Sequence, residues 1–287
     1  MTTSTSRLAA ERRFAIGAVV AASRLTKAVR DDFDPSEATS KADSSPVTVA
    51  DLGAQALVSM ALAEALPRDG MMGEEDFGPL ADSADLAAAV LERVRAQRPE
   101  VDLDGLREAL DSCDDPGGPG RRWWTLDPVD GTKGFLRNEQ YAVALALIED
   151  GDVVLGVIGC PNLPYSGEPG DDDATGPIGC LFVAERGAGA RMMPLFEASA
   201  DTPGEPIRAA APASTAEARY AESVEAAHSD QSEAARIGAA LGITAAPVRL
   251  DSQTKYAVVA RGDASIYLRV PRGDYRENVW DHAAGCL

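Results

Sequence analysis

The 287-residue sequence predicts an α+β unit followed by a smaller α/β unit. Two patterns lead to this prediction. In the first two thirds, helical periodicity gives way to short apolar strands separated by turn residues, as in helices packed on an antiparallel sheet. Beyond a polar stretch at residues 194–206, strands and helices alternate, as in parallel sheets joined by helices. We therefore place the two units at residues 1–206 and 207–287.

The first unit opens with two predicted helices. Apolar residues at helical spacing, with Arg and Lys on the other face, predict the first helix at residues 7–29. An Ala- and Leu-rich segment predicts the second at residues 49–66. The acidic segment 77–120, punctuated by Gly and Pro, carries two further short helical patterns. Residues 1–6 are a frayed terminus or the stub of a targeting sequence.

Five short strands are predicted to complete the first unit. Each is an apolar run that ends at turn residues. Residues 149–152 supply a tight hairpin turn, and residues 161–177 have the composition of an acidic loop. The predicted strands lie at 123–126, 141–148, 153–158, 180–185 and 190–193.

The second unit is predicted from a change of rhythm. Strand, helix, strand, helix and strand follow one another, which is typical of parallel strands with crossover helices. These elements are predicted at 207–211, 229–241, 248–250, 253–261 and 265–270.

Composition limits the function. The 46 acidic and 27 basic side chains give a formal net charge of -19, which argues against nucleic acid or an anionic membrane as a partner. An apolar run near the start, residues 14–22, is too short to cross a bilayer. Four scattered cysteines without a C-x-x-C pair favour a reduced compartment. We expect a cytoplasmic monomer that acts on a small molecule.

One segment combines acidic and glycine residues in a pattern suited to a metal and an anion. Asp127 and Asp130, with Pro between them and Gly after them, can converge on one hard cation, and the carbonyl of Val129 can add a third oxygen. Gly131 and Thr132 then offer N–H groups to an anion. Taken alone, the segment is also consistent with a polar turn. The aspartyl-phosphate phosphatases are excluded, because their two aspartates stand two residues apart instead of three.

Three other acidic positions each have a structural alternative. Asp51 ends a T-x-x-D pattern, which is typical of a capping box at a helix start. Glu74 lies in an acidic cluster of the kind common in solvated loops. Asp281 has the position of an acid in the first turn of a helix.

Taken in order, these segments form a four-part signature. It reads K-x-D-x-S-P-V-T-x-A-D at 41–51, G-E-E at 73–75, D-P-V-D-G-T-K-G-F at 127–135 and W-D-H-A-A-G at 280–285. The set strongly resembles the Mg²⁺-dependent, lithium-sensitive phosphatases of the inositol monophosphatase superfamily. Three further segments resemble its 3'(2'),5'-bisphosphate nucleotidase branch, namely D-G-T-K-G-F-L-R at 130–137, I-G-C-P-N-L at 158–163 and L-D-S-Q-T-K-Y at 250–256.

The resemblance implies a fold, a reaction and a set of residue roles. The fold would be a layered αβαβα sandwich, and the reaction would release the 3'-phosphate of adenosine 3',5'-bisphosphate or of its sulfated relative, 3'-phosphoadenylyl sulfate. Asp51 with Thr132 would position and deprotonate the attacking water. Two or three Mg²⁺ ions would be held by Glu74, Asp127, the Val129 carbonyl, Asp130 and Asp281. Substrate contacts would come from Gly131, Thr132, His228, Ser252, Lys255, Arg269 and Asp281.

Electrostatics supports the carboxylates as a metal cage. A phosphate ester is an anion, so a cluster of carboxylates can bind it only after cations have neutralised the cluster. Lys255 and Arg269 are local cations that would outweigh distant, screened acids. The structural alternative for Lys255 is a solvated surface side chain, and for Arg269 it is a charge at the end of a strand. For His228 the alternative is an ordinary partly buried histidine.

The sequence departs from the family at its end. It stops six residues after Asp281, where relatives usually continue through another strand and helix, so the second unit is expected to be C-terminally short. A non-catalytic remnant that binds nucleotide or metal is therefore one alternative, although every proposed ligand is present. Within the enzyme class, the alternative is an inositol-polyphosphate 1-phosphatase or a general sugar phosphatase.

Overall fold

A seven-stranded sheet forms the centre of the first unit. The computed structural model describes residues 7–33, 46–167, 175–224, 231–270 and 276–287. The strands follow one another across the sheet in chain order, and every pair is antiparallel except the first, which is parallel. They are β1 (Gly70–Gly73), β2 (Arg122–Asp130), β3 (Ala142–Glu149), β4 (Asp152–Ser166), β5 (Thr175–Glu185), β6 (Gly189–Pro194) and β7 (Glu205–Ile207).

The structure corrects three strand predictions. The sequence pattern missed β1, so the predicted sheet lacked its parallel pair. The strand predicted at 207–211 as the start of the second unit is wrong, because β7 ends at Ile207 and pairs with β6 in the first sheet. The loop predicted at 161–177 is too long, because β4 and β5 extend into it on both sides.

Two long helices, α1 (Ala9–Asp31) and α2 (Pro46–Ala65), pack on the large sheet and form its apolar partner layer. The other helices are α3 (Gly78–Asp82), α4 (Ala84–Arg95), α5 (Leu103–Asp111), α6 (Thr132–Arg137), α7 (Gln231–Ala240) and α8 (Thr254–Arg261). The segment 77–120 thus holds three helices, α3 to α5, instead of the two predicted. The stretch Val47–Ala65 is long and apolar enough to cross a membrane, but 72% of it is buried, as in a core helix.

The two faces of the large sheet have different neighbours. Alternate residues of a strand point to opposite faces. On β3, Leu145 and Leu147 join the core with α1, whereas Ala144 and Ala146 join a second core that includes Val258 of α8. Helices α1 and α8 therefore lie on opposite sides of the sheet.

A small parallel sheet lies beyond α8. Its strands are β8 (Tyr220–Ser223), β9 (Val248–Leu250) and β10 (Ile266–Tyr267), in the order β10-β8-β9. Helix α8 contacts β8 and β10 on one side and β4 on the other. This layering confirms the α+β and α/β sandwich, although β8 was missed and the strand predicted at 265–270 is reduced to β10. Four predictions lie outside the described residues: the terminus at 1–6, motif residues 41–45, the helix start at 229–230 and the side chain of His228.

Candidate active site

The parallel pairing of β1 with β2 brings two acidic segments together. In the register of these strands, Gly73 stands opposite Leu126. Both strands run in the same direction, so the residues that come after this pair lie at the same edge. These are Glu74, directly after β1, and Asp127, still within β2, and a hydrogen bond joins their carboxyl groups. The strand that the sequence pattern missed is thus the element that places Glu74.

A β-bulge turns both aspartates of β2 to the same side. Asp127 pairs with Ala144 and Asp130 with Ala142, so three steps along β2 match two steps along β3. In a regular strand, residues three apart face opposite ways, and the extra residue of the bulge restores a common face. Pro128 favours the bulge, because proline cannot donate a hydrogen bond to a sheet ladder.

Asp51 reaches the site from α2. This helix begins at Pro46, so Thr48 is already inside it, and the capping-box alternative for Asp51 is wrong. The Asp51 side chain is buried, with 7% of its surface exposed. Burial raises its pKa well above the ordinary range, and the charges of Glu75 and Glu74 raise it further. Asp51 therefore lies next to the acidic segment after β1 without capping a helix.

The second unit closes the site from the other side. Gly131 has a φ of +89°, and a Cβ at this position would lie 2.8 Å from the Cβ of Ser252. Only glycine satisfies both the backbone conformation and the close approach. Near Ser252, Lys255 lies on the first turn of α8 with only 4% of its surface exposed.

A pocket of about 310 Å³ collects most of the predicted site residues. Asp51 is not among its described lining residues. Five further residues line the pocket but were not predicted. Four have polar, charged or aromatic side chains, namely Lys133, Ser223, Asp251 and Tyr267, and the fifth is Leu268. The predicted residues in the lining are Glu74, Asp127, Val129, Asp130, Gly131, Thr132, Ser252, Lys255, Arg269 and Asp281.

Three carboxyl groups of the pocket hold protons more tightly than ordinary acids. Burial raises the pKa of Asp127 well above its usual range, and the charges of Asp130 and Glu74 add to this. Burial also raises the pKa of Glu74 to about 7, with the charges of Glu75 and Asp281 adding to the effect. Burial raises the pKa of Asp130 too, but there Lys255 opposes the shift. The pocket is thus a site of concentrated negative charge.

The donor set fits a hard divalent cation. Asp127 Oδ1 is buried and has no hydrogen-bond partner among the described residues. An unpartnered buried carboxylate oxygen is costly unless a cation compensates it, and oxygen ligands suit Mg²⁺. In the described chain, no three His, Cys, Asp or Glu side chains are already assembled around one point. The acidic side chains of the described residues therefore line one pocket but are not yet arranged around a single metal position.

The two predicted cations differ in their surroundings. Lys255 is not the solvated side chain of the structural alternative, because it is buried and its Nζ donates to the Leu250 carbonyl at 3.3 Å. Burial lowers its pKa to about 8, although the charge of Asp130 opposes the shift. Arg269 forms an ion pair with Glu277 at the pocket wall.

Asp281 occupies a turn, not a helix. Residues 280–286 form turns, so the alternative interpretation of Asp281 as an acid in the first turn of a helix is wrong. The carboxylate of Asp281 accepts a hydrogen bond from the main-chain N–H of Asn278 at 2.7 Å. Gln253, which was not predicted as a site residue, supports the same segment by donating from Nε2 to the Trp280 carbonyl at 2.9 Å.

Comparison with known proteins identifies the family. A model of the inositol monophosphatase family matches residues 9–287, and the chain belongs to this family. Enzymes of the family generally use Mg²⁺. The resemblance noted in the sequence is thereby confirmed.

Within the family, the chain is similar to proteins named 3'(2'),5'-bisphosphate nucleotidase. The one from Oryza sativa is 43% identical, over 97% of this chain and 81% of its own length. A protein from Arabidopsis thaliana, named 3'(2'),5'-bisphosphate nucleotidase 1, is 42% identical over 93% of this chain and 79% of its own.

Solved structures support the fold. CysQ from Bacteroides thetaiotaomicron, a bacterial member of the family, aligns with a TM-score of 0.60 at 21% identity, over 97% of this chain and 85% of its own. SuhB from Mycobacterium tuberculosis aligns with a TM-score of 0.57 at 21% identity, over 96% of this chain and 82% of its own. At such identities the likeness concerns the fold alone.

Proposed function

We propose that this protein is a Mg²⁺-dependent phosphatase that removes the 3'-phosphate of adenosine 3',5'-bisphosphate, and also that of 3'-phosphoadenylyl sulfate. The observation that carries the proposal is the buried, unpartnered oxygen of Asp127 in a pocket that also contains the buried cation Lys255. The pocket thus offers oxygen ligands for a cation beside a positive charge for a phosphate. Relatives at 43% and 42% identity carry the name of this activity.

Five groups around the pocket are proposed to hold two or three Mg²⁺ ions. When bound, Mg²⁺ neutralises the phosphate charge and makes water more acidic. The common face of Asp127 and Asp130 follows from the bulge, and Glu74 stands beside them at the end of β1. The proposed ligands are Glu74, Asp127, the Val129 carbonyl, Asp130 and Asp281.

Asp51 is proposed to accept the proton of the attacking water, with Thr132 orienting that water. The water oxygen forms a bond to the phosphorus of the 3'-phosphate. The bond between phosphorus and the ribose 3'-oxygen breaks, and that oxygen takes a proton from solvent water, which yields AMP and inorganic phosphate. A raised pKa makes Asp51 a stronger base, which favours general-base catalysis.

Substrate recognition is proposed to come from both units. The main-chain N–H groups at Gly131 and Thr132 face the phosphate that is hydrolysed, because they follow Asp130 directly at the pocket wall. Lys255, Ser252 and Arg269 line the same pocket and contact the nucleotide and its second phosphate. His228 is proposed for the same role from the resemblance alone.

The test is phosphate release by the purified chain with Mg²⁺. Adenosine 3',5'-bisphosphate, inositol 1,4-bisphosphate and inositol monophosphate are compared by kcat/KM, with the Asp127→Asn variant as the inactive control. A clear preference for the bisphosphate nucleotide supports the proposal. A preference for an inositol phosphate assigns the protein to another branch of the family. Mg²⁺ binding without turnover of any of the three overturns the catalytic proposal in favour of a binding protein.

A further inference from the structure

Gln55 connects α2 to the acidic segment after β1. It lies one helical turn beyond Asp51, and its side chain is fully buried. Both polar atoms of its amide bond to the main chain of Glu75. Nε2 donates to the Glu75 carbonyl at 2.6 Å, and Oε1 accepts from the Glu75 N–H at 3.0 Å. The side chain therefore pairs with Glu75 as a neighbouring strand would.

Gly73 provides the space for this amide. A Cβ at residue 73 would lie 2.5 Å from Gln55 Oε1 and 2.6 Å from its amide carbon. The main-chain N–H of Gly73 donates to the Cys113 carbonyl at 3.0 Å. Glu74 is thus flanked by two residues whose main chains are anchored, and a glycine is needed on one side because the Gln55 amide is so close.

The position of Glu74 requires such an anchor. Its carboxyl group faces the like charges of Glu75, Asp281 and Asp130. Like charges repel, so an unrestrained segment would move Glu74 away from the pocket. The strand before it, β1, has only four residues. The bonds of Gln55 to Glu75 hold the segment against that repulsion.

We propose that Gln55 is a positioning residue that fixes Glu74 relative to Asp51. The inference rests on the proposed function, in which Glu74 holds Mg²⁺ and Asp51 acts on the water. Asp51 and Gln55 lie on the same helix. The bonds of the Gln55 amide therefore fix the segment that contains Glu74 relative to α2 and to Asp51. Gln55 itself touches neither metal nor substrate.

The experiment compares Gln55→Ala, Gly73→Ala and the double variant. Mg²⁺ affinity is measured by calorimetry, the melting temperature in chelator, and phosphate release at saturating Mg²⁺. Loss of a group that orients a metal ligand typically weakens metal affinity about 10- to 100-fold. We expect that range for Gln55→Ala and a similar loss for Gly73→Ala, whose Cβ displaces the amide. In the double variant the Gly73→Ala change should add nothing, because the amide it displaces is gone.

Ser59→Ala is the matched control. Ser59 lies one turn further along α2, is buried, and its hydroxyl bonds to that of Ser112 at 2.8 Å. Its loss should lower the melting temperature and leave Mg²⁺ affinity unchanged. If Gln55→Ala behaves like this control, Gln55 is only a structural residue and the inference is wrong. Should Gln55→Ala fail to fold, the Mg²⁺ affinity of Gly73→Ala decides in the same way.

Failure of the proposed function gives a different result. If the wild type hydrolyses the bisphosphate with Mg²⁺ and Asp127→Asn abolishes this, the function stands whatever Gln55→Ala does. If the wild type binds no Mg²⁺, both the proposed function and the role of Gln55 are overturned.

Discussion

Gln253 donates its main-chain N–H to a carboxylate oxygen of Asp130, although 123 positions separate the two residues in sequence. The side-chain amide of the same glutamine bonds to the Trp280 carbonyl, one residue before Asp281. Gln253, which directly precedes α8, thus connects Asp130 of β2 to the segment that contains Asp281. The pocket consequently depends on how the small sheet and α8 dock against the large sheet.

Asp127→Asn should abolish turnover while the protein stays folded. Asp127 is buried beside other acidic side chains, so removing its charge relieves repulsion in the metal-free state. Loss of metal stabilisation of the transition state is worth several kcal/mol, so the rate should fall by at least about 10²- to 10³-fold. Phosphate release and circular dichroism melting measure the two effects. An unfolded variant would show that Asp127 is a structural turn residue.

Asp51→Asn should slow the chemical step without weakening Mg²⁺ binding. A general base contributes about 10²- to 10⁴-fold, and the amide cannot accept the proton. Single-turnover phosphate release gives the rate, and the Mg²⁺ concentration at half-maximal rate gives the metal dependence. Near-normal turnover would remove Asp51 from the mechanism, since its capping role is already ruled out by the start of α2.

The metal-free protein should become less stable as pH rises from acidic to neutral. The carboxyls of Asp51, Asp127 and Glu74 have raised pKa values when folded, that of Glu74 being about 7. Ordinary carboxyls titrate near about pH 4, so the folded state binds more protons than the unfolded chain between about pH 4 and 7. Their favourable contribution is full below that window and is lost as pH rises through the folded pKa values.

Melting temperatures in chelator at about pH 5 and about pH 7.5 test this linkage. The value should be lower at the higher pH, and Mg²⁺ should restore it there. Asp127→Asn should reduce the difference between the two melting temperatures, because one carboxyl with a raised pKa is gone. A melting temperature that rises between the two pH values in chelator would contradict the prediction.

Lys255→Met should impair the bisphosphate nucleotide selectively. Methionine retains much of the buried volume and removes the charge. A charge-assisted contact to phosphate contributes roughly 1.5 to 3 kcal/mol, about ten- to a hundredfold, only when the phosphate is present. The comparison is kcat/KM for adenosine 3',5'-bisphosphate and for adenosine 3'-monophosphate. Equal losses of kcat/KM on both substrates would mean that Lys255 does not bind the second phosphate.

The elements that sequence predicted best have strong local signals. The hairpin turn between β3 and β4 is confirmed, with Asp150 and Gly151 both at positive φ as a tight turn requires. The missed strand β1 reads G-M-M-G, which carries neither alternation nor β-branched residues. Its strand character comes from pairing with β2, a contact formed across about fifty residues, so the local sequence does not reveal it.

The residues of the candidate site likewise divide into those with a local sequence signal and those without one. Acidic and basic residues in the motifs could be recognised from residue type and spacing, and most of them line one pocket. Gln55 and Gln253 could not, because each acts through hydrogen bonds to the main chain of a distant segment. A glutamine in a helix looks like any other polar residue until its partners are known. The sequence signal for Gln253 was its place in the segment L-D-S-Q-T-K-Y at 250–256.

The bulge in β2 also determines which ligands mutation can reach. Pro128 and Val129 have no partner in the register with β3. The Val129 carbonyl that we propose as a ligand belongs to the main chain, so no amino-acid substitution deletes it. A survey of single substitutions would therefore register Val129 only as a buried apolar position. Removing one residue between the two aspartates would keep both on the same face but would straighten the strand. Such a change in length, unlike a substitution, would test what the Val129 carbonyl contributes to Mg²⁺ binding.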